Sequence, residues 1–197
     1  MPRVNFPSQA LITEMDLGVI NPSQRPTTAF ASGIRQVIKG GYGYWQATIR
    51  IGEAQKENVG PIETFVNELS ELDNYARVPI IDATYNPHRH SITSSTTIVS
   101  GNPIAGFTLA AAPGEMEVGR YVRITPAGKS SRLFQVTSWS ASTRLARFIP
   151  MLPLQPGWPV DRAEYVNMTL EDNNPVVSRL ELSWGGPWVM SLREYLE

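Results

Sequence analysis

The alternation of apolar and other residues is most regular in the segment YWQATIRI, residues 44–51. Its odd-numbered positions are Trp, Ala, Ile and Ile, and its even-numbered positions are Tyr, Gln, Thr and Arg. A period of two residues predicts a β-strand with one apolar and one polar face. We interpret Trp45, on the apolar face, as a core tryptophan rather than a platform for ligand stacking.

A longer period follows this strand and predicts one amphipathic helix over residues 61–74. Apolar residues recur at i, i+3, i+4, i+7 and i+10, in a stripe formed by Ile62, Phe65, Val66, Leu69 and Leu72. Pro61 suits the first helical position, where its missing N–H would be unpaired in any case. Three glutamates lie off the stripe, which indicates a solvated helix face rather than paired catalytic carboxylates.

The rest of the chain consists of short β segments separated by Gly, Pro and Asn. We predict strands at 27–30, 35–38, 80–85, 91–99, 107–110, 121–125, 133–139, 145–149, 164–170 and 177–184. Strands at this spacing are typical of sandwiches and barrels. The predicted fold class is therefore mainly β, a β-barrel or β-sandwich with one inserted amphipathic helix.

The same pattern predicts three regions along the chain. Residues 1–24 have isolated apolar anchors and little periodicity, so we expect an extended N-terminal arm. Residues 25–184 form a β-rich body, with two β subregions at about 25–85 and 104–184 as one option. Residues 185–197 are expected to form a C-terminal docking segment.

Composition narrows the class of function. Only 18% of residues are charged, and the chain has five Trp and seven Tyr. This composition fits a surface that meets other protein, or simply a neutral β protein, and both readings stay open. A net charge of −1 argues against nucleic-acid binding, and the absence of Cys excludes disulfides and zinc–cysteine sites. The first residues, MPRVNFPSQALITEMDLG, lack a long apolar segment, so we expect no signal peptide, no membrane insertion and synthesis in a cytoplasm.

Residues capable of catalysis or metal binding are few. His88 and His90 stand two apart, with Asp82 upstream, but an Arg separates the histidines and the chain has no third His. An enzyme reading, such as a hydrolase using Asp82 and Glu115, has no supporting motif. We therefore predict no catalytic residues, no bound metal and no cofactor.

Several segments together resemble the small distal-tail or tail-tip proteins of tailed bacteriophages. These segments are YWQATIRIG, the helix in IETFVNELSELDNYARVPIID, then GFTL, EVGRYVRI, RLFQVTS and LARFIPMLP, and the C-terminal RLELSWGGPWVMSLREYLE. The resemblance covers roughly residues 25–190, and none of its motifs is diagnostic alone.

The resemblance implies a virion protein that forms a ring at the distal end of the tail tube and connects it to the tail tip or baseplate. It further implies a hexameric ring, with the tail tube protein and the tail hub or tip proteins as partners. Trp and Tyr dominate the desolvated hot spots of protein interfaces. The candidate subunit-interface residues near the C-terminus are Trp184, Trp188, Leu192 and Tyr195, of which Trp184 suits packing inside its own subunit better.

Two alternatives remain beside the distal-tail function. One is another ring of the same particle, a tail-terminator or head–tail joining protein. The other belongs to a different class, a carbohydrate- or peptide-binding β module. In such a module Trp45, Trp139 and Trp158 would be stacking platforms, and a clustered, exposed aromatic face would favour it.

Overall fold

Two β-structures make up the fold, an open six-stranded sheet and a closed six-stranded barrel. The computed structural model describes residues 3–8, 10–20, 43–52, 56–71, 74–80, 91–171 and 188–195. In chain order the elements are β1 (Arg3–Val4), β2 (Ile12–Ile20), β3 (Tyr44–Ile51), α1 (Lys56–Ser70), β4 (Tyr75–Pro79), β5 (Thr96–Asn102), β6 (Gly106–Leu109), β7 (Tyr121–Ile124), β8 (Arg132–Ser140), β9 (Leu145–Ile149), β10 (Pro159–Arg162), β11 (Tyr165–Leu170) and β12 (Trp188–Glu194). The predicted fold class, mainly β with a barrel and one helix, is confirmed.

The open sheet takes its strands from both ends of the chain. Their spatial order is β1-β4-β11-β12-β3-β2. The short β1 runs parallel to β4, and all other neighbours are antiparallel. The C-terminal β12 therefore lies in the interior of the sheet, between β11 and β3.

The barrel is a continuous insertion between β4 and β11 of that sheet. Its strands close in the order β10-β5-β6-β9-β8-β7, with every neighbouring pair antiparallel. Closure leaves no free strand edge in the barrel. Its core is built around buried residues such as Ile98, Leu109, Ile124, Phe134 and Phe148.

The helix α1 covers the open sheet with the predicted apolar stripe. Ile62, Phe65, Val66 and Leu69 are each at most 2% exposed and belong to the core of the sheet. Leu72, the last residue of the predicted stripe, lies outside the described residues.

The bounds predicted for the helix were wrong at both ends. It begins at Lys56, so Pro61 lies inside it rather than at its first position. The apolar stripe starts earlier than expected, because Val59 also packs against the sheet core, three residues before Ile62. The helix stops at Ser70, after which the Asn74 side chain donates to the carbonyl of Glu68 at 2.7 Å.

Most described strands lie where the sequence pattern placed them. The strands at 44–51 and 145–149 have the predicted bounds, and the first shows the predicted burial of alternate residues. The strand after the helix is Tyr75–Pro79, with Ala76 and Val78 facing the core. Of the strand predicted at 80–85 only Ile80 is described, and it follows this strand. The strand predicted at 91–99 is Thr96–Asn102. The strands predicted at 27–30, 35–38 and 177–184 lie outside the described residues.

The three predicted regions need correction. The N-terminal arm is not free, because β1 pairs with β4 and β2 pairs with β3 in the chain's own sheet. The segment 185–197 is not a separate docking segment, because β12 is an interior strand. The two β subregions do not follow each other along the chain, since β1–β4 of the sheet precede the barrel strands β5–β10 and β11 and β12 follow them.

Candidate functional site at the barrel–sheet joint

A buried carboxylate joins the end of the sheet to the barrel. The Glu194 side chain is 1% exposed and accepts hydrogen bonds from the Arg132 guanidinium, with Nη2 at 2.8 Å and Nε at 3.3 Å. It also accepts the backbone N–H of Leu133 at 3.2 Å and that of Trp45 at 3.3 Å. Both carboxylate oxygens are thus saturated with donors, as a buried charge requires. We call Glu194 and Arg132 the clasp.

Other hydrogen bonds cross the same joint. Arg132 donates a further bond to the carbonyl of Gly43 at 2.9 Å, and the Trp45 indole N–H donates to the carbonyl of Leu133 at 2.8 Å. The Asn167 amide donates to the carbonyl of Ser131 at 3.2 Å. Trp45 is 2% exposed, so its predicted role as a core tryptophan is confirmed.

A cleft of about 580 Å³ opens beside the clasp. It is lined by Pro126, Ala127, Lys129, Ser130, Arg132, Leu152, Pro153, Gln155, Trp158 and Tyr195. Most of these residues come from two barrel segments, and Tyr195 comes from the end of the sheet. A cleft of this size at the joint between two structural units, with a mixture of apolar, aromatic and a few polar side chains, is typical of a ligand site.

Two tight turns build the walls of the cleft. In Pro126–Ala127–Gly128–Lys129, the N–H of Lys129 donates to the carbonyl of Pro126 at 3.2 Å, and Gly128 has φ +72°. In Gln155–Pro156–Gly157–Trp158, the N–H of Trp158 approaches the carbonyl of Gln155 at 3.4 Å, and Gly157 has φ +85°. A positive φ at the third position is the pattern of a type II turn, which favours glycine there. Each turn delivers its fourth residue, Lys129 or Trp158, to the cleft.

The aromatic side chains of the cleft are held in place from behind. The Tyr195 ring stacks on Tyr75, with centroids 4.6 Å apart and planes 8° apart, and its N–H donates to the carbonyl of Asn167 at 2.9 Å. Trp158 is half-buried and packs against the barrel core. These contacts reduce the rotamer freedom that a ligand would otherwise have to remove on binding.

The charge of the cleft is positive on balance. Its lining, as far as the chain is described, includes a lysine and an arginine but neither Asp nor Glu. The guanidinium of Arg132 is neutralised by Glu194. The exposed Lys129 forms no ion pair with any residue in the part of the chain that the structure describes. Among the described residues of the lining, the uncompensated positive charge is therefore that of Lys129.

The structure separates the four candidate interface residues. Trp188 is 2% and Leu192 0% exposed, because both point into the sheet core from β12, so their assignment to a subunit interface was wrong. Tyr195 is half-buried and lines the cleft. Trp184 lies outside the described residues.

Catalytic or metal-binding groups do not come together in the described ranges. Within them, no cluster of three or more His, Asp or Glu side chains is arranged to hold a metal ion. Glu115 is an exposed turn residue with φ +57°, and Asp82, His88 and His90 lie outside the described residues. No helix in the described part of the chain is long and apolar enough to cross a membrane.

The sequence pattern named only part of this site. Trp158 was weighed as a stacking residue, and Gly128 and Gly157 are turn signals that can be read from the sequence alone. The sequence did not indicate Lys129 or Gln155 as site residues. Each lies in a surface turn, and only the fold brings the two turns together at one cleft. Among known proteins, no family model and no curated protein matches this chain significantly.

Proposed function

We propose that this protein is a structural component of a bacteriophage tail, which forms a ring at the distal end of the tail tube and connects it to the tail tip or baseplate. Two considerations support the proposal. The first is the resemblance of its strand, helix and barrel segments to distal-tail proteins. The second is an observation on the open sheet, whose two edges suit association with further copies of the same chain.

The observation that carries the proposal is the long edge strand β2. It is nine residues long, and no described strand pairs with its outer side. Its Met15, Leu17 and Val19 are half-buried against the sheet core, while Asp16 on the opposite face is exposed. A long open edge offers unpaired N–H and C=O groups to a neighbouring strand.

The opposite edge of the sheet has a complementary character. There the two-residue β1 covers Tyr75 and Ala76 of β4, and no other described strand pairs with the outer side of β4. Arg3 and Arg77 are exposed on this edge, whereas β2 carries Asp16. Joining one edge to the other is a heterologous contact, which generates a ring when the rotation closes. A hexameric ring with the tail tube and tail hub or tip proteins as neighbours follows from the resemblance.

A charge exchange between the two edges tests this assembly. Asp16→Arg places like charges on both edges and is expected to weaken the ring, and Arg3→Glu is expected to do the same. The double variant restores opposite charges and is expected to restore assembly. Mass photometry of the purified full-length chain at several concentrations measures the populations of monomer and ring.

Glu117→Arg is the matched control, because Glu117 is an exposed acid on the barrel, away from both sheet edges. It should leave the ring population unchanged. A chain that stays monomeric at high concentration would contradict self-assembly. Normal tails in electron micrographs of virions that lack the protein would contradict the structural role itself.

No observation favours the tail-terminator or head–tail joining function over the distal-tail function. The absence of catalytic activity and of a bound metal stays a prediction. Elemental analysis of protein purified without a histidine tag checks the second part, with no stoichiometric zinc, manganese or iron expected.

A further inference from the structure

We infer that the cleft at the barrel–sheet joint is a binding site for an acidic saccharide, a sugar with a carboxylate on its ring. This inference is independent of ring formation and follows from the chemistry of the lining residues. The site differs in position from both sheet edges, since its walls are barrel turns and the residue that follows β12.

The apolar and aromatic part of the cleft fits one face of a sugar ring. Trp158 and Tyr195 bring an indole and a phenol to the cleft, and Leu152 and the two prolines Pro126 and Pro153 add apolar surface. The C–H face of a pyranose is apolar and stacks on such rings, while its hydroxyls point sideways. Aromatic side chains of this kind combine a large contact area with a small loss of conformational entropy.

The polar part of the cleft fits the hydroxyls and the acid. The exposed Gln155 supplies a side-chain amide, able to donate and to accept hydrogen bonds. Lys129 adds an ammonium group at the end of an ordered turn, with no acid among the described residues of the lining to neutralise it. A negatively charged sugar is therefore favoured over a neutral one, because only the former gains a charge-assisted contact.

The backbone of the walls argues against an extended peptide as the occupant. A peptide that binds in extended form pairs its backbone with a free strand edge or with exposed N–H groups. The cleft lies on a closed barrel, which has no free strand edge. Pro126 and Pro153 have no N–H, and the N–H groups of Lys129 and Trp158 are directed to carbonyls within their own turns. Recognition in the cleft thus rests on side chains.

The direct test compares two disaccharides that differ in their carboxylates. Digalacturonate is titrated into the full chain by isothermal calorimetry at low ionic strength, and α-1,4-galactobiose serves as the neutral counterpart. Saturable binding of digalacturonate is expected at about 1 mM or tighter, with affinity for galactobiose lower by about tenfold. Added salt should weaken the binding of digalacturonate and leave that of galactobiose unchanged.

Two pairs of variants assign the binding to the cleft. Lys129→Gln should lower the affinity for digalacturonate about tenfold and abolish the preference for it over galactobiose. The control Arg147→Gln removes an exposed cation of the barrel outside the cleft and should change neither quantity. Trp158→Ala should lower the affinity for both disaccharides about tenfold. Trp139→Ala is its control, because Trp139 is also half-buried against the barrel core but does not line the cleft.

The outcomes separate cleanly. Loss of sugar preference in Lys129→Gln alone, with circular dichroism of the variant unchanged, supports the site. No saturable binding of digalacturonate up to about 10 mM would overturn the inference. Equal affinity for the two sugars, equal effects of Trp139→Ala and Trp158→Ala, or tighter binding of an acidic peptide than of digalacturonate would each overturn it as well.

Discussion

Replacing Glu194 by Gln probes the clasp that joins the sheet to the barrel. The native carboxylate accepts from two guanidinium nitrogens of Arg132 and from the N–H groups of Leu133 and Trp45. A glutamine keeps the shape of the side chain but has one acceptor oxygen, and its amide nitrogen turns N–H groups toward donors. It also leaves the Arg132 side chain, which is 14% exposed, without its counter-charge.

The expected cost follows from the burial of the pair. Removing one partner of a buried ion pair leaves the other charge uncompensated and typically destabilises a protein by about 3–5 kcal/mol. Because the Arg132 side chain retains a little solvent contact and its bond to Gly43, we expect the lower end, about 3 kcal/mol, for Glu194→Gln. The double variant Glu194→Leu/Arg132→Met removes both charges. It should cost much less stability than the sum of Glu194→Leu and Arg132→Met measured singly.

Urea denaturation measures these differences in the free energy of unfolding. Tryptophan fluorescence and far-ultraviolet circular dichroism are followed together, because coincident transitions are needed for a two-state treatment. The matched control is Glu14→Gln, which breaks an exposed 3.6 Å pair with Arg50 and should change stability by less than about 1 kcal/mol. The reasoning is refuted if Glu194→Gln lowers the free energy of unfolding no more than this control does. It is also refuted if the losses of stability from Glu194→Leu and Arg132→Met add up in the double variant.

Two further changes test the packing and the ionisation of single residues. Leu69→Ala should lower the free energy of unfolding by about 2–5 kcal/mol in the same urea assay, because Leu69 is 1% exposed between helix and sheet; an effect below about 1 kcal/mol would show that the stripe is loosely packed. Burial raises the pKa of Tyr121 above 10.0 in the folded protein, so on raising the pH the phenol ionises in the unfolded chain first. The contribution of the neutral phenol to the free energy of unfolding is therefore fully present below pH 10 and is lost as the pH rises through the folded-state pKa. Tyr121→Phe should therefore lose less stability between about pH 9.5 and 11 than the parent, and an unchanged slope of stability against pH would contradict this.

Local periodicity was enough to predict the strand at 44–51 and the buried stripe of the helix. The strand at 44–51 and the residues Ile62, Phe65, Val66 and Leu69 follow from a period of two and a period near 3.6, which the chain expresses within a few residues. Pairing across the chain has no such local signal. Nothing in the segment around Trp188 indicates that β12 is inserted between β11 and β3, so this strand was interpreted as a docking segment.

The same limit explains the errors on assembly. An aromatic residue near a chain end suits an interface and a core equally well, and only the sheet order decides between them. Trp188 is a core residue because β12 has neighbouring strands on both sides. Residues 12–20 are not a free arm because they pair with β3. The clasp could not be predicted either, because Glu194 and Arg132 are 62 residues apart in sequence.

The topology also assigns different roles to the two β-structures. Closure removes free edges from the barrel, so in the described part of the chain the edges open to a neighbouring strand belong to the sheet. The cleft, by contrast, is formed by barrel turns whose glycines fix the positions of Lys129 and Trp158. If both proposals hold, a charge exchange at Asp16 and Arg3 alters assembly without altering sugar affinity, and Lys129→Gln does the reverse. A change at Glu194 differs from both, because it loosens the joint on which the cleft depends and leaves the charges of the sheet edges as they were.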